Sequence, residues 1–290
     1  MDRKDEMNIQ WYPGHMTKTR RQIEADLKQV DAVCEIVDAR IPISSRNPDI
    51  DVICAGKPRI VVLNRMDLAD PSATQRWEAF FRQKGMAVIS TDCKTRKGIA
   101  DFTPAARKAC AQKLERDAAR GMSRPVRVMI VGIPNVGKST LINQISGKKG
   151  AKAENRPGVT RGKQWVSVDR SLQLMDTPGI LWPKFEDPEV GLKLAYTGAV
   201  KEGVIDLEEL ACRLMELLHK YYPAALADRY KVEAEPGTPG YQLLEQAGKN
   251  RGFLLARGEI HTERMAKVLI DEFRSGKLGR FTLEIPEEMR

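Results

Sequence analysis

Long apolar runs are missing from this chain of 290 residues. No uninterrupted stretch approaches the roughly 20 apolar residues that a membrane-spanning helix needs, and the charged N-terminus lacks the apolar core of a secretory signal. We therefore expect a protein that neither crosses a membrane nor is secreted. Aromatic residues are also few, at 6%, but the hydrophobic content of 42% is enough for packed cores and excludes wholesale disorder.

Cysteine is scarce as well. The five cysteines are an odd number, are scattered and include no CxxC pair: Cys34, Cys54, Cys93, Cys110 and Cys212. This pattern argues against a disulfide framework and against a zinc site, and it favours a reducing cytoplasm.

Positive charge is abundant and unevenly distributed. The net charge of +9 suggests a polyanionic partner. Residues 1–185 contain 33 Lys and Arg against 20 Asp and Glu, a balance of +13, whereas residues 186–290 contain 15 against 19, a balance of −4. The excess therefore belongs entirely to the first segment.

The same position separates two patterns of secondary structure. Up to residue 185, short apolar runs alternate with helical stretches, which predicts a doubly wound α/β sheet. From residue 186 onward helical periodicity dominates, as in Leu207–Tyr221 and Thr262–Arg274. The sequence thus predicts two domains, 1–185 with the sheet and 186–290 all-helical. The predicted strands are Ala32–Val37, Ile60–Leu63, Ala87–Ile89, Val126–Val131, Trp165–Val168 and Leu172–Met175.

The run Gly132-Ile133-Pro134-Asn135-Val136-Gly137-Lys138-Ser139 fits the GxxxxGK[ST] pattern of a phosphate-binding loop. It follows a predicted strand and opens a predicted helix, as the motif requires, so that backbone N–H groups and the helix N-terminus face the phosphates. Lys138 is expected to neutralise the β- and γ-phosphates, and the Ser139 hydroxyl to bind Mg²⁺. The loop residues expected to contact the nucleotide are Asn135, Val136, Gly137, Lys138, Ser139 and Thr140.

A second phosphate-contacting segment follows the last predicted strand. Asp176-Thr177-Pro178-Gly179 places a carboxylate that can hold Mg²⁺ and, at Gly179, an N–H that can contact the γ-phosphate. Between the two motifs, Thr160 is the best candidate for a mobile hydroxyl that completes the magnesium shell and supports hydrolysis. Thr160 is alternatively an ordinary loop residue.

Guanine recognition is indicated by Asn64-Arg65-Met66-Asp67, which resembles the NKxD motif and follows a predicted strand. A carboxylate at Asp67 can accept hydrogen bonds from the ring N1–H and the 2-amino group, which adenine does not offer in that arrangement. Arg65 replaces the usual Lys, and its aliphatic stem can pack over the base. The next strand end places Cys93 and Lys94 near the base, but which residue of this segment contacts it stays open.

These elements occur in an unusual order. The base-reading elements precede the phosphate loop, whereas ordinary GTPases have the reverse order. Ligands of doubly wound sheets bind at the carboxyl ends of the strands, so a permuted chain can retain the site. In the permuted chain, Asp176–Gly179 is followed directly by the helical domain. A change of this segment with the bound nucleotide can therefore be transmitted to that domain.

The order NRMD, GIPNVGKST and DTPGI, the opening WYPGHM and the helical C-terminal domain resemble the YlqF/RbgA family of circularly permuted ribosome-assembly GTPases. The resemblance covers essentially the whole chain. It implies Mg²⁺-dependent hydrolysis of GTP to GDP, stimulated by the large ribosomal subunit during late assembly. We further expect a cytoplasmic protein that contacts ribosomal RNA, has no membrane partner and is monomeric when free.

The residue that orients the attacking water is not the usual one. Ile180 follows DTPG where many GTPases have Gln, and an isoleucine cannot orient water by hydrogen bonding. The family shares this hydrophobic residue, and His15 is the candidate replacement. His15 can equally cap the first helix or contact RNA. Asn135 resembles the residue that binds K⁺ in potassium-activated GTPases, although it can also simply shape the loop.

Basic clusters near the switch segments favour docking on the RNA backbone, although most surface Lys and Arg side chains are merely solvated. The residues considered are Lys18, Arg20, Arg21, Lys148, Lys149, Lys152 and Arg156, with Lys249, Arg251 and Arg257 in the helical domain. The alternative function is a nucleotide-gated RNA-binding scaffold with negligible turnover.

Overall fold

The computed structural model describes residues 16–147, 164–179, 187–200, 206–256 and 258–289. Contacts divide the chain into two compact units. The sheet unit comprises the described parts of Gln10–Glu186 together with Glu284–Met289. The helical unit comprises the described parts of Asp187–Leu283. None of the helices described is long and apolar enough to cross a membrane.

The sheet unit is built on six strands in the order β3-β2-β1-β4-β6-β5. All neighbouring pairs are parallel except β5 with β6, which is an antiparallel edge pair. The strands are β1 (Ala32–Asp38), β2 (Arg59–Asn64), β3 (Ala87–Thr91), β4 (Val126–Val131), β5 (Gln164–Ser167) and β6 (Leu172–Asp176). Every predicted strand is confirmed, and the fold class is confirmed with them.

Helices of the sheet unit cover the strands. α3 begins at Pro71 because the Asp70 carboxylate accepts hydrogen bonds from the Ser72 and Ala73 N–H groups and proline suits the first helical position. Trp77 and Phe81 of α3 are completely buried against the ends of β1 and β2. The helices are α1 (Met16–Asp26), α2 (Asp49–Ile53), α3 (Pro71–Gln83), α4 (Phe102–Ala109), α5 (Ala111–Ala119) and α6 (Lys138–Ser146).

The helical unit packs its amphipathic faces around a separate core. α8 begins after Asp206, whose carboxylate caps the N–H groups of Glu208 and Glu209, and it buries Leu210, Leu214 and Leu218 on one stripe. The helices are α7 (Pro188–Tyr196), α8 (Leu207–Tyr221), α9 (Pro223–Tyr230), α10 (Gly240–Asn250) and α11 (Thr262–Ser275).

The C-terminal segment departs from the predicted division of the chain. The domain prediction assigned all of 186–290 to the helical domain, whereas Glu284 packs within the sheet unit. Its buried carboxylate accepts hydrogen bonds from the Ile43 N–H, the Ser44 N–H and the Ser44 hydroxyl. Its carbonyl oxygen accepts one from Trp77 Nε1 at 3.0 Å. Without this segment, the N–H groups of Ile43 and Ser44 and the ring N–H of Trp77 would lose these hydrogen bonds. These hydrogen bonds are the physical reason why the C-terminal segment packs in the sheet unit.

Candidate functional site

The predicted phosphate loop joins β4 to α6 at the carboxyl edge of the sheet. Gly137 adopts a φ of +102° immediately before the first residue of α6. A Cβ atom there would lie 2.4 Å from the Asn64 side-chain nitrogen, so only glycine fits. Asn135 also has a positive φ, of +58°. The loop therefore curves as a phosphate-binding loop must, directly in front of a helix N-terminus.

Lys138 lies beneath this loop with its side chain buried. Its Nζ donates hydrogen bonds to the carbonyl oxygens of Gly132 at 3.0 Å and Ile133 at 2.7 Å. Burial lowers the pKa of Lys138 to about 8, while Asp176 acts in the opposite direction. A phosphate beside Nζ would raise this pKa again, so anion binding and full protonation of Lys138 favour each other.

Ser139 and Asp176 are described residues that could hold a magnesium ion together. The Ser139 hydroxyl donates to Asp176 Oδ2 at 3.2 Å, because β4 and β6 are neighbours. Asp176 Oδ1 is buried and has no hydrogen-bond partner within the described part of the chain. Burial raises the pKa of Asp176, against the effects of Lys138 and Ser139. A divalent cation would both use this oxygen and restore the charged carboxylate.

Gly179 brings the segment after β6 against the phosphate loop. A Cβ atom at this position would lie 2.8 Å from the Pro134 Cα and 3.0 Å from Lys138 Nζ. Thr177 fixes the start of the segment, since its buried hydroxyl donates to the Ile130 carbonyl oxygen at 2.6 Å. The Gly179 backbone is therefore next to the lysine that is expected to meet the terminal phosphates.

Asn64 connects the base-reading strand to the phosphate loop. Its Nδ2 donates to the Val136 carbonyl oxygen at 2.7 Å, and its Oδ1 accepts from Thr91 Oγ1 at 3.0 Å and from Cys93 Sγ at 3.3 Å. The Asn64 side chain is buried. Its contacts within the protein indicate that it holds three loops together.

Arg65 and Asp67 follow at the same edge. Arg65 has a positive φ of +60°, and its Nη2 donates to the Asn135 carbonyl oxygen. Asp67 is partly accessible and forms an ion pair of 3.4 Å with Lys94, a largely exposed residue. An ion pair with such an exposed lysine is weak, so the Asp67 carboxylate remains available to a purine ring.

The segment after β3 has a more definite structure than its sequence indicated. Asp92 organises it: its carboxylate accepts from the Lys94 N–H at 2.8 Å and from Thr95 Oγ1 at 2.6 Å. Burial raises the pKa of the Cys93 thiol to about 11, so that it stays protonated and can donate to Asn64. Arg96 donates to the Gln144 carbonyl oxygen of α6 at 3.0 Å. Asp92 directly precedes Cys93 in the strand-end segment predicted to lie near the base, whereas Arg96 was not among the predicted site residues.

The structure thus brings together most of the predicted nucleotide-binding residues at the carboxyl ends of β2, β3, β4 and β6. These are Asn64, Arg65, Asp67, Cys93, Lys94, Asn135, Val136, Gly137, Lys138, Ser139, Asp176 and Gly179; Thr140 follows on the exposed side of α6. His15 and Thr160 lie outside the described residues, as do Ile180, Arg257 and the basic residues between 148 and 156. Of the first helix, the side chain of Arg21 is described and exposed.

The sequence reasoning also missed two buried residues at this edge, Asp38 and Arg40. The available signal was the position of Asp38, which ends β1 between the two strands that carry the other motifs.

Comparison with known proteins agrees with this geometry. A family model described as 50S ribosome-binding GTPase matches residues 127–221. Ribosome biogenesis GTPase A of Bacillus cereus is 46% identical over 97% of this chain and 95% of its own length. The protein of the same name from Thermotoga maritima is 33% identical over 97% and 96%.

Solved structures give the same result. A GDP-bound YlqF structure superimposes with a TM-score of 0.67 at 28% identity, covering 92% of this chain and all of the other. YlqF from T. maritima bound to GNP gives a TM-score of 0.63 at 28% identity, covering 93% and 99%. Because these curated relatives are at least 33% identical over nearly the full length of both chains, the chain belongs to the ribosome biogenesis GTPase A family, also called YlqF.

Proposed function

We propose that the protein binds GTP at the carboxyl edge of the sheet and hydrolyses it to GDP and phosphate during late assembly of the large ribosomal subunit, with the ribosomal particle stimulating hydrolysis. The observation that supports this proposal is the convergence of three elements at one edge: the β4–α6 loop, Asp176 of β6 and Asp67 after β2. These supply, respectively, phosphate, metal and base recognition.

In this mechanism the protein positions the phosphates and stabilises charge. Loop N–H groups and Lys138 hold the β- and γ-phosphates, and the γ-phosphate would contact the Gly179 N–H. Ser139 and Asp176 would hold Mg²⁺, which supplies positive charge to the phosphate oxygens when bound. Thr160 would complete that shell.

Orientation of the attacking water is assigned to His15, because Ile180 has no hydrogen-bonding group. An imidazole can hold water in line with the γ-phosphate without acting as a full base. K⁺ near Asn135 would add a further positive charge at the transition state. Asn135 has a left-handed backbone conformation, and its carbonyl oxygen accepts a hydrogen bond from Arg65.

Ribosomal RNA is the proposed docking partner, recognised through its backbone charge. The +13 balance of residues 1–185 supports this assignment. In the helical unit, Arg251 already pairs with Glu272 at 3.0 Å. A groove of about 640 Å³ exposes Lys277 and Arg280 beside Tyr221, and it is a further candidate surface for RNA in this unit.

We further propose that the free protein is a cytoplasmic monomer. All five cysteines are free and four of them are buried, which fits a reducing compartment.

The decisive experiment measures GTP turnover with and without purified large ribosomal subunits, in K⁺ and in Na⁺. We expect slow turnover alone, strong stimulation by the subunits, and a higher rate in K⁺. A rate that is unaffected by subunits in either salt would reject the enzymatic proposal and favour the alternative, a nucleotide-gated RNA scaffold. Equal rates in K⁺ and Na⁺ would reject the K⁺ assignment alone.

A further inference from the structure

A buried ion cluster lies at the carboxyl edge of the sheet, next to the proposed nucleotide site. Asp38 ends β1, the strand between β2 and β4. Arg40 folds back onto it: Nε donates to Oδ1 at 2.9 Å, Nη2 to Oδ2 at 2.7 Å, and the Arg40 N–H to Oδ1 at 3.0 Å. Arg40 is completely buried and Asp38 nearly so. Such a bidentate pair holds the carboxylate in one orientation.

The fixed carboxylate reaches a second arginine. Arg65 Nη1 lies 3.5 Å from Asp38 Oδ2, and Arg65 Nη2 donates to the Asn135 carbonyl oxygen. Asp38 is therefore connected through one side chain to the phosphate loop. Because Arg65 belongs to the base-reading motif, the same side chain links base recognition to the loop.

The electrostatics couple Asp38 to two guanidinium groups, those of Arg40 and Arg65, and the charge of Asp67 also acts on Arg65. Burial would raise the pKa of Asp38, but the charge and hydrogen bonds of Arg40 together with the charge of Arg65 outweigh it, and the pKa is lowered. Removing charges from water is costly, and apolar residues can often replace a buried ion pair without loss of stability. A cluster next to a phosphate site therefore calls for an explanation beyond stability.

We infer that Asp38 is a positioning residue for guanine nucleotide binding, which acts by holding Arg65 against the Asn135 carbonyl group. This inference rests on the proposed nucleotide site. It predicts that the strength of nucleotide binding depends on Asp38 even though Asp38 makes no contact with the ligand. GDP and GTP are affected alike, because the loop that Arg65 supports contacts both.

The test measures the dissociation constant of fluorescent GDP for the full chain carrying Asp38→Asn, Arg65→Met, or both. Loss of a charge-assisted contact predicts that each single variant binds GDP about 10-fold more weakly or worse. If Asp38 acts through Arg65, the double variant binds no more weakly than Arg65→Met alone. A merely structural role of Asp38 would instead give multiplied effects in the double variant.

The matched control is Glu35→Gln, on the same strand. Glu35 is equally buried and binds two arginines, Arg46 at 2.8 Å and Arg59 at 2.7 Å, yet it lies three residues before the strand end. We expect this variant to lower the melting temperature and to change the GDP dissociation constant by less than about 2-fold. A comparable loss of affinity in Glu35→Gln would overturn the inference.

Three outcomes distinguish a failure of the inference from misfolding of a variant and from a failure of the proposed function. If Asp38→Asn does not fold, Arg65→Met still decides, since GDP binding equal to that of the unmodified chain rejects any role for Asp38 through Arg65. If the unmodified chain binds no GDP, the proposed function fails. If it binds GDP and loses it only with Lys138→Met, the proposed function stands and the inference about Asp38 fails.

Discussion

An amide in place of the Asp67 carboxylate changes what the site offers to a purine ring. Asp67 can accept hydrogen bonds from the guanine N1–H and 2-amino group, whereas the amide of Asp67→Asn presents a donor where the 2-amino group lies. Xanthine has an oxygen at that position and can accept from the amide. We therefore expect Asp67→Asn to weaken GTP binding and to strengthen binding of xanthosine triphosphate.

The magnitude follows from the surroundings of Asp67. Its ion pair with Lys94 is 3.4 Å long and largely exposed, so breaking it has little effect on stability. Two hydrogen bonds to a charged acceptor are lost, at about 1.5 to 3 kcal/mol each before compensation. A net loss of about 3 kcal/mol corresponds to roughly 100-fold weaker GTP binding. Unfavourable donor–donor contact would add to this.

Isothermal titration calorimetry with GTP, ATP and xanthosine triphosphate measures the change directly. Asp70→Ala is the matched control, because Asp70 lies three residues away and caps α3. That variant should lose about 1 kcal/mol of stability and keep its GTP affinity. Unchanged GTP affinity in Asp67→Asn, or tighter binding of ATP than GTP by the unmodified chain, would refute the assignment of the base site.

Three further predictions concern other parts of the molecule. Arg229 holds the pKa of Glu272 down at about 2, from an ordinary 4.5, so the stabilising effect is complete above pH 4.5 and is lost as the pH falls toward 2. Glu272→Gln should therefore destabilise the helical unit at neutral pH by about 2 kcal/mol. Hydrogen exchange of α11 measures this loss, and the exposed Glu245→Gln is the control that should show none. Equal exchange in both variants would contradict the prediction. The added Cβ of Gly179→Ala would overlap Pro134. This variant should bind GTP about 10-fold more weakly, while its GDP affinity changes less than 3-fold. Equal losses for both nucleotides would reject the γ-phosphate contact. His15→Ala should reduce subunit-stimulated kcat by about 100-fold without changing GTP affinity, a result that a role in helix capping would not produce.

The elements that the sequence predicted well are those with a local signal. Buried parallel strands favour nearly continuous apolar runs, and Val126–Val131, in which every residue except Arg127 is buried, was predicted with its observed bounds. The phosphate loop was recognisable because its glycines, lysine and serine all lie within eight consecutive residues, 132–139. Leu207–Tyr221 was also predicted with its observed bounds, since its leucines repeat at helical spacing.

The missed features depend on contacts between distant parts of the chain. Asp38 meets Arg65 and Arg96 meets Gln144 only after the strands are in register. Neither pair has a periodicity or spacing by which it could be recognised. The return of Glu284 to the sheet unit is a contact across some 240 residues, and loop-closure entropy rather than local preference governs such contacts.

The anchoring of Glu284 changes the topological description of the helical unit. With sheet-unit residues on both sides, at 179 and again at 284, the helical unit is an insertion rather than an appendage. An inserted unit is attached to the rest of the chain by two covalent connections. Any truncation between α11 and Glu284 also removes the partner of the Ser44 hydroxyl and of Trp77 Nε1. A minimal sheet unit therefore has to join its two parts across the insertion instead of ending before it.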